Sequence, residues 1–146
     1  DRLFEERGKH VSHELVEKVY TMFDGCTWFV QMMMNELFAL TGYDDICGVE
    51  MLDEARRNVI QAQESNYKDL LSRLAPKQKL LLQAIAKEGV VRGITSSTFI
   101  KKYNLASASS VQAALKPLLK NDIVTQNEDT YRVYDYFFSE WLANGY

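Results

Sequence analysis

The segment from residue 106 to residue 133 constrains this chain most, because it joins an amphipathic helix directly to two short strands. Ala106 and Ser107 open the helix, and apolar side chains then recur along it at the spacing of a helix that is buried on one face. The residues of this stripe are Val111, Ala114, Leu115, Leu118 and Leu119. Such a helix needs other elements of the chain to cover it.

The flanking segments predict those elements. Residues 123–125 and 131–133 read as strands, and the polar residues 126–129 between them read as a turn, which together predict a β-hairpin. Upstream, Pro76 starts a helix that stops at Gly89, and residues 95–97 offer caps for a short helix. Asn104 suits the left-handed residue that closes this short helix, and the aromatic residues 134–142 predict a closing helix. Helix, short helix, helix and hairpin is the order of a winged-helix domain, a form of helix-turn-helix fold.

The first half of the chain predicts helices only. The expected helices span residues 10–23, residue 27 to about residue 41, and about residue 45 to residue 74. The predicted fold class is therefore mainly α, with an N-terminal helical bundle followed by a winged helix of three helices and a β-hairpin wing. Residues 1–75 hold 8 Lys and Arg against 14 Asp and Glu, whereas residues 76–146 hold 9 against 6. This shift near Pro76 predicts two domains, 1–75 and 76–146.

Composition narrows the class of protein. The chain has two cysteines, Cys26 and Cys47, which fit neither a metal-ligand spacing nor a disulfide framework and are typical of thiols in a reducing cytosol. No apolar run approaches the roughly 20 residues that span a bilayer, and the charged start does not resemble a signal peptide. We therefore expect a cytoplasmic protein. Because the chain begins with Asp1 in the middle of a pattern, we also expect it to be part of a longer protein.

Three segments of the second half resemble the C-terminal winged helix of a family of prokaryotic AAA-type (STAND-like) ATPases. They read APKQKLLLQAIAKEGVV, SSTFIKKYNLASASSVQAALKPLLKNDIV and YRVYDYFFSEWL. In that family a helical lid precedes the winged helix, and the segment DGCTWFVQMMMNEL resembles that lid. Two positions depart from the family pattern: Thr27 replaces the Pro of a Gly-x-Pro turn, and Ala75 replaces a hydroxyl residue before the winged helix.

The resemblance implies a nucleotide-binding core that lies outside this chain. That core would bind ATP and Mg²⁺, but no G-x-x-x-x-G-K-[ST] motif occurs here, and we expect no cofactor in this chain. The implied role is a non-catalytic C-terminal regulatory or effector region. The missing core of the same chain is then an expected partner. Met32, Met33 and Met34 are expected to pack against the long third helix or against a neighbouring domain, which in the parent protein would be that core. A stand-alone transcriptional regulator whose first half dimerises is the alternative.

The sequence gives only weak evidence for catalytic or metal-binding residues. His10, His13 and Glu14 would share one face of the first predicted helix, a pattern more typical of a solvated surface than of a metal site. The acidic pairs 44–45 and 53–54 are adjacent in sequence, so their side chains diverge rather than share a cleft. We therefore predict no catalytic residues, no bound metal and no enzyme activity for this chain.

A winged helix usually places its third helix in the major groove of DNA, which makes double-stranded DNA a candidate partner. Against this, the third helix carries no Arg, and the wing tip holds Glu128 and Asp129, which phosphate would repel. Docking of a protein partner, or an intramolecular regulatory role, is the alternative. The candidate DNA-binding residues are Arg92, Lys101, Lys102, Ser107, Ser109, Ser110, Gln112, Lys116 and Lys120.

Overall fold

The computed structural model describes residues 4–5, 8–43 and 45–145. Contacts along the chain divide it into two compact units, Asp1–Glu64 and Ser65–Tyr146. The division predicted from charge lay at Pro76, so the structure groups residues 65–75 with the second unit. The domain limits 1–75 and 76–146 stay a prediction.

The first unit contains a small parallel sheet that the sequence did not predict. Strand β1 (His10–Val11) pairs with strand β2 (Ile46–Cys47), with His10 opposite Ile46 and Val11 opposite Cys47. The prediction of helices only was therefore wrong for this half. Strands of two residues are too short to show a period, and their partner lies far away in sequence, so local patterning favours the neighbouring helices instead.

Helix α1 (His13–Met22) begins three residues later than predicted, because Ser12 caps it. The Ser12 Oγ accepts a hydrogen bond from the backbone N–H of Leu15 at 3.1 Å, as is usual for a serine at this position. Helix α2 (Thr27–Leu40) follows the prediction closely, although Cys26 rather than Thr27 is its cap residue. Its buried residues are Phe29, Met33, Met34 and Leu37, whereas Met32 is half-buried.

The third helix of the first half starts later than residue 45. Residues 46–47 form β2, a single 3₁₀ turn spans Val49–Met51, and helix α3 covers Leu52–Ser72. Ala55 and Val59 are buried along the first part of α3. The predicted amphipathic helix is thus confirmed in type and shortened at its N-terminal end.

The second unit continues with the elements of a winged helix. They are α4 (Pro76–Glu88), β3 (Val91–Arg92), α5 (Ser97–Lys102), α6 (Ala108–Lys120), β4 (Val124–Asn127), β5 (Thr130–Val133) and α7 (Tyr136–Ala143). The three strands form an antiparallel sheet in the order β3–β5–β4. The predicted hairpin is confirmed, and β3 adds a strand that the sequence did not predict.

Local signals at the helix ends explain why this unit follows the prediction. Pro76 is the first residue of α4, where its missing N–H costs nothing, and the Gln78 side chain accepts from the backbone N–H of Ala75 at 3.1 Å. Gly89 ends α4 with a φ of 82°. Asn104 adopts a φ of 56°, and the N–H of Leu105 donates to the carbonyl of Ile100 at 2.8 Å, so the predicted closure of α5 is confirmed.

The core of the second unit lies around α4, which packs against both α6 and α7. Leu82, Ile85, Leu118 and Leu142 are completely removed from solvent. Four of the five apolar residues of the predicted α6 stripe are buried, and Leu119 is half-buried. Burial of this stripe fixes the rotation of α6 about its axis, and therefore decides which of its side chains reach solvent. In the part of the chain that is described, no helix has both the length and the apolar character required to cross a bilayer.

Candidate nucleic-acid interface

The candidate interface centres on the solvent face of α6. Ser107 caps this helix, since its Oγ accepts the backbone N–H of Ser110 at 3.1 Å and lies 3.2 Å from the Oγ of Ser109. The side of α6 opposite the buried stripe is exposed along its whole length, and it carries Ser109, Gln112, Ala113, Lys116 and Lys120. The predicted α6 candidates therefore lie on one face, except that Ser110 is half-buried and Ser107 is engaged as the cap.

The charge of this face is positive and modest. Helix α6 contains no acidic residue, and its exposed cations are Lys116 and Lys120. Neither lysine forms an ion pair with any residue that the structure describes. Gln112 and Ser109 can both donate and accept hydrogen bonds from this face. A surface with unpaired lysines beside uncharged donors can bind an anionic backbone while its other groups read a neighbouring edge.

Lys101 and Lys102 are both exposed at the end of α5, but their surroundings differ. The Lys102 Nζ lies 2.5 Å from the Oε1 of Glu88, and the Tyr103 hydroxyl donates to the same oxygen at 2.5 Å. The hydrogen bond from Lys102, followed by that from Tyr103, lowers the pKa of Glu88, and Glu88 in turn raises the pKa of Lys102. The charge of Lys102 is thus already paired with that of Glu88, whereas Lys101 has no ion pair among the described residues.

Arg92 is likewise paired within the chain. Its Nη1 lies 2.6 Å from the Oδ2 of Asp129, one of the two residues at the turn between β4 and β5. The other turn residue, Glu128, has a φ of 56°, and its carbonyl accepts a hydrogen bond from the Gln126 side chain at 2.8 Å. The acids of the wing tip were predicted to repel phosphate. One of them, Asp129, also forms an ion pair with Arg92, which is itself a predicted phosphate contact.

Lys77 is a basic residue of this region that the sequence analysis missed. A groove of about 510 Å³ runs between the first turn of α4 and the start of α6, and both Lys77 and Ser110 line it. A second groove of about 310 Å³ shares these two residues and continues past Leu80 and Leu105. Position 77 follows a helix-starting proline, and no local pattern there indicates that α6 lies beside it.

The other titratable candidates are not assembled into a site. His10 lies in β1 and His13 opens α1, so the expectation that they share one helical face with Glu14 was wrong, because Ser12 starts the helix after His10. The His13 Nε2 lies instead 3.0 Å from Glu17 on the exposed surface. Among the described residues there is no group of three His, Cys, Asp or Glu side chains placed to hold a metal ion. Cys47 is buried, which raises its pKa, and Cys26 is half-buried.

Comparisons with known proteins agree with this architecture. Residues 65–144 match the model of a family described as a probable winged helix domain. No curated protein matches the chain. The structure is similar to a Walker-type ATPase of Pyrococcus abyssi, with a TM-score of 0.68 and 18% sequence identity over 97% of this chain. The match covers 39% of that ATPase, so this chain spans well under half the length of the protein it resembles. The match over residues 65–144, more than half of the chain, shows that it belongs to the probable winged helix domain family.

Proposed function

We propose that this chain is the non-catalytic C-terminal regulatory or effector region of an AAA-type (STAND-like) ATPase, and that its winged helix binds double-stranded DNA. The observation that carries the DNA proposal is the solvent face of α6, where Lys116 and Lys120 are exposed beside Gln112 and Ser109 on a helix without acidic residues. The observation that supports the ATPase parent is the similarity in fold to a Walker-type ATPase over 97% of this chain.

The residues present do not fit ATP and Mg²⁺. A phosphate-binding loop needs closely spaced glycines that precede a Lys-Ser or Lys-Thr pair, and no such pair occurs anywhere in this sequence. The glycines with positive φ, among them Gly25 and Gly89, lie in separate turns. Nucleotide binding in the proposed parent is therefore assigned to a core outside this chain, and the first unit, with its lid-like helices, would adjoin that core.

The geometry of α6 suits the major groove of DNA, which is about 12 Å wide and admits one helix. In this orientation Gln112 and Ser109 would meet base edges, while Lys116 and Lys120 in the last turns would meet phosphates. Side chains of the first kind discriminate between bases, and those of the second kind supply affinity that falls as salt rises. Since Arg92 and Lys102 are paired within the chain, we expect few phosphate contacts, and therefore weak binding whose dependence on salt is shallow.

The test is a titration of a fluorescent DNA duplex with the full chain at low salt, followed by fluorescence anisotropy. Replacing Lys116→Glu together with Lys101→Glu should abolish the binding. The matched control is Lys18→Glu with Arg57→Glu, which makes the same change in net charge at two exposed positions of the first unit and should leave most of the binding intact. If the unmutated chain fails to bind duplex DNA at low salt, the DNA proposal is wrong.

A protein-docking or intramolecular regulatory role is the second candidate, and the groove between α4 and α6 favours it. Leu80 is 43% exposed at the edge of the second of the two grooves, which Leu80 and Leu105 line and which could take an apolar side chain of a partner. Leu80→Glu should abolish docking in this groove and leave duplex binding unchanged. A stand-alone transcriptional regulator remains the third candidate: a Walker motif encoded upstream of Asp1 contradicts it, and a start codon directly before Asp1 contradicts the ATPase parent.

A further inference from the structure

We propose that Asp129 competes with DNA phosphate for Arg92, so that this one acid of the wing sets both the affinity of the winged helix for duplex DNA and its dependence on salt. The inference rests on the proposed DNA binding and adds an internal control of it. Its structural basis is the ion pair between the Arg92 Nη1 and the Asp129 Oδ2, 2.6 Å apart.

The sheet register brings the two residues together. Arg92 in β3 lies opposite Thr130 in β5, and Thr130 follows directly after the turn that contains Asp129. The turn itself is fixed, because the Thr130 hydroxyl donates to the carbonyl of Asn127 at 2.7 Å. Arg92 is therefore held beside the wing tip by backbone pairing, and the carboxylate of Asp129 is within reach without any movement of the sheet.

The pair is open to exchange. The Arg92 side chain is 71% exposed and that of Asp129 is 59% exposed, so water surrounds most of both groups. Ion pairs in such surroundings contribute little to stability, because water stabilises each charged group almost as well as its partner does. A guanidinium also offers five N–H donors in a planar fork that matches phosphate oxygens as well as it matches a carboxylate. A phosphate that approaches the wing can therefore take the place of Asp129.

Lys102 differs from Arg92 in this respect. The side chain of its partner Glu88 is only 27% exposed and also accepts a hydrogen bond from Tyr103, so two donors hold that carboxylate in place. Replacing Glu88 would disturb Tyr103 as well as Lys102. Among the described residues the Asp129 carboxylate has no second donor of this kind, so release of Arg92 from it disturbs no other side chain.

In the unmodified chain, replacement of Asp129 by a DNA phosphate as the partner of Arg92 is unfavourable for two reasons. The phosphate has to displace one anion from Arg92, and that displaced anion then stays within a few ångströms of the phosphate and repels it. Asp129→Asn removes both effects while it keeps the size of the side chain. Glu128→Gln is a matched control, because it removes one negative charge from the neighbouring turn residue, whose carboxylate forms no ion pair in the described part of the chain.

The experiment measures duplex binding by the full chain at several salt concentrations, for the unmodified protein and for Asp129→Asn, Glu128→Gln, Arg92→Gln and the double variant Arg92→Gln with Asp129→Asn. We expect Asp129→Asn to bind roughly threefold or more tightly, and its plot of log affinity against log salt to steepen by about 0.9, which is the value for one added phosphate contact. Glu128→Gln should show a smaller gain without that steepening. The double variant should lose the steepening, since it lacks the guanidinium.

The outcomes separate the two proposals. Equal effects of Asp129→Asn and Glu128→Gln would mean that only the net charge of the wing matters, and the competition for Arg92 would be wrong although the DNA proposal would stand. If the double variant still bound duplex DNA more tightly than the unmodified chain, the competition for Arg92 would likewise be wrong. If no variant binds duplex DNA at low salt, both proposals are wrong. Thermal unfolding of each variant shows whether the fold is intact, and Asp129→Ser provides a second neutral replacement.

Discussion

The ring of Tyr67 packs against the ring of Phe138, with centroids 4.9 Å apart, and its centroid lies 5.4 Å from that of Trp141. Tyr67 belongs to α3 and is almost completely buried, whereas Phe138 and Trp141 belong to α7. The end of α3 therefore contributes an aromatic side chain to the core of the winged helix. This agrees with a family match that begins at residue 65 rather than at Pro76.

Replacement of this ring tests where the domain begins. We expect Tyr67→Ala to lower the free energy of unfolding of the second unit by about 3–5 kcal/mol, the usual effect of truncating a buried aromatic residue. Tyr67→Phe keeps the ring and should cost far less. The measurement is urea unfolding followed by near-ultraviolet circular dichroism of the full chain. Unchanged unfolding of Tyr67→Ala would instead support the limit at Pro76 that charge predicted.

Asn104 provides a test of the turn between α5 and α6. Because its φ of 56° is unfavourable for residues with a Cβ, Asn104→Ala should lower the free energy of unfolding by about 1–2 kcal/mol. Asn104→Gly should be neutral or slightly stabilising, since glycine adopts this conformation without steric cost. Thermal or urea unfolding distinguishes the two. Equal destabilisation by both variants would show that the Asn side chain, and not its backbone conformation, is what the turn requires.

Asp135 caps α7, and its Oδ1 accepts the backbone N–H groups of Phe137 and Phe138 at 2.9 and 3.1 Å. Asp135→Ala should cost about 0.5–2 kcal/mol of stability, the range for loss of a helix cap. Burial raises the pKa of Asp135 even though these two N–H donors act in the opposite direction. Since the position is half-buried and desolvation penalises the charged form there, Asp135→Asn, which keeps an acceptor oxygen, should cost little.

The pKa of Asp135 also has a predictable effect on stability. Since the folded pKa is raised, the folded chain binds this proton more tightly than the unfolded chain does. The stabilisation is therefore full below the ordinary aspartate pKa and is lost as the pH rises through the folded value. The unfolding free energy of the unmodified chain, relative to that of Asp135→Asn, should therefore fall as the pH rises from the ordinary aspartate pKa through the folded pKa. A shift of the opposite sign would contradict the assignment.

Glu88 should show the reverse dependence. The hydrogen bond from Lys102, then that from Tyr103, lowers its pKa, so its contribution to stability is present above the ordinary glutamate pKa and is lost as the pH falls through the folded value. Unfolding measurements from about pH 6 to about pH 3 should show this loss in the unmodified chain and not in Glu88→Gln. Tyr103→Phe, which removes the weaker of the two donors, should weaken the effect without abolishing it.

The sequence predicted the helices of the winged helix well because their limits depend on local chemistry. Pro76 and Gly89 bound α4, Ser107 caps α6, and Asn104 closes the turn between α5 and α6. The exposed face of α6 followed from its buried stripe in the same way. In each case the side chain and the backbone group that it affects lie within a few residues of one another.

What the sequence did not predict depends on distant partners. The strands β1, β2 and β3 have two residues each, and their pairing partners lie far along the chain. The ion pair of Arg92 joins residues 37 positions apart, and that of Lys102 joins residues 14 positions apart. No local pattern marks such pairs, so the sequence identified most cations of the candidate interface, but not the pairing of Arg92 with Asp129 or of Lys102 with Glu88.

The sheet order β3–β5–β4 also implies an order of events in folding. The hairpin of β4 and β5 has a two-residue turn, so its closure orders few residues, whereas β3 joins β5 only after the chain between them, including α5 and α6, has been arranged. We therefore expect the strand of Arg92 to dock last. Substitutions in β3 should therefore speed unfolding more than they slow folding, and brief opening at this edge would free Arg92 from Asp129 while the rest of the domain stays folded.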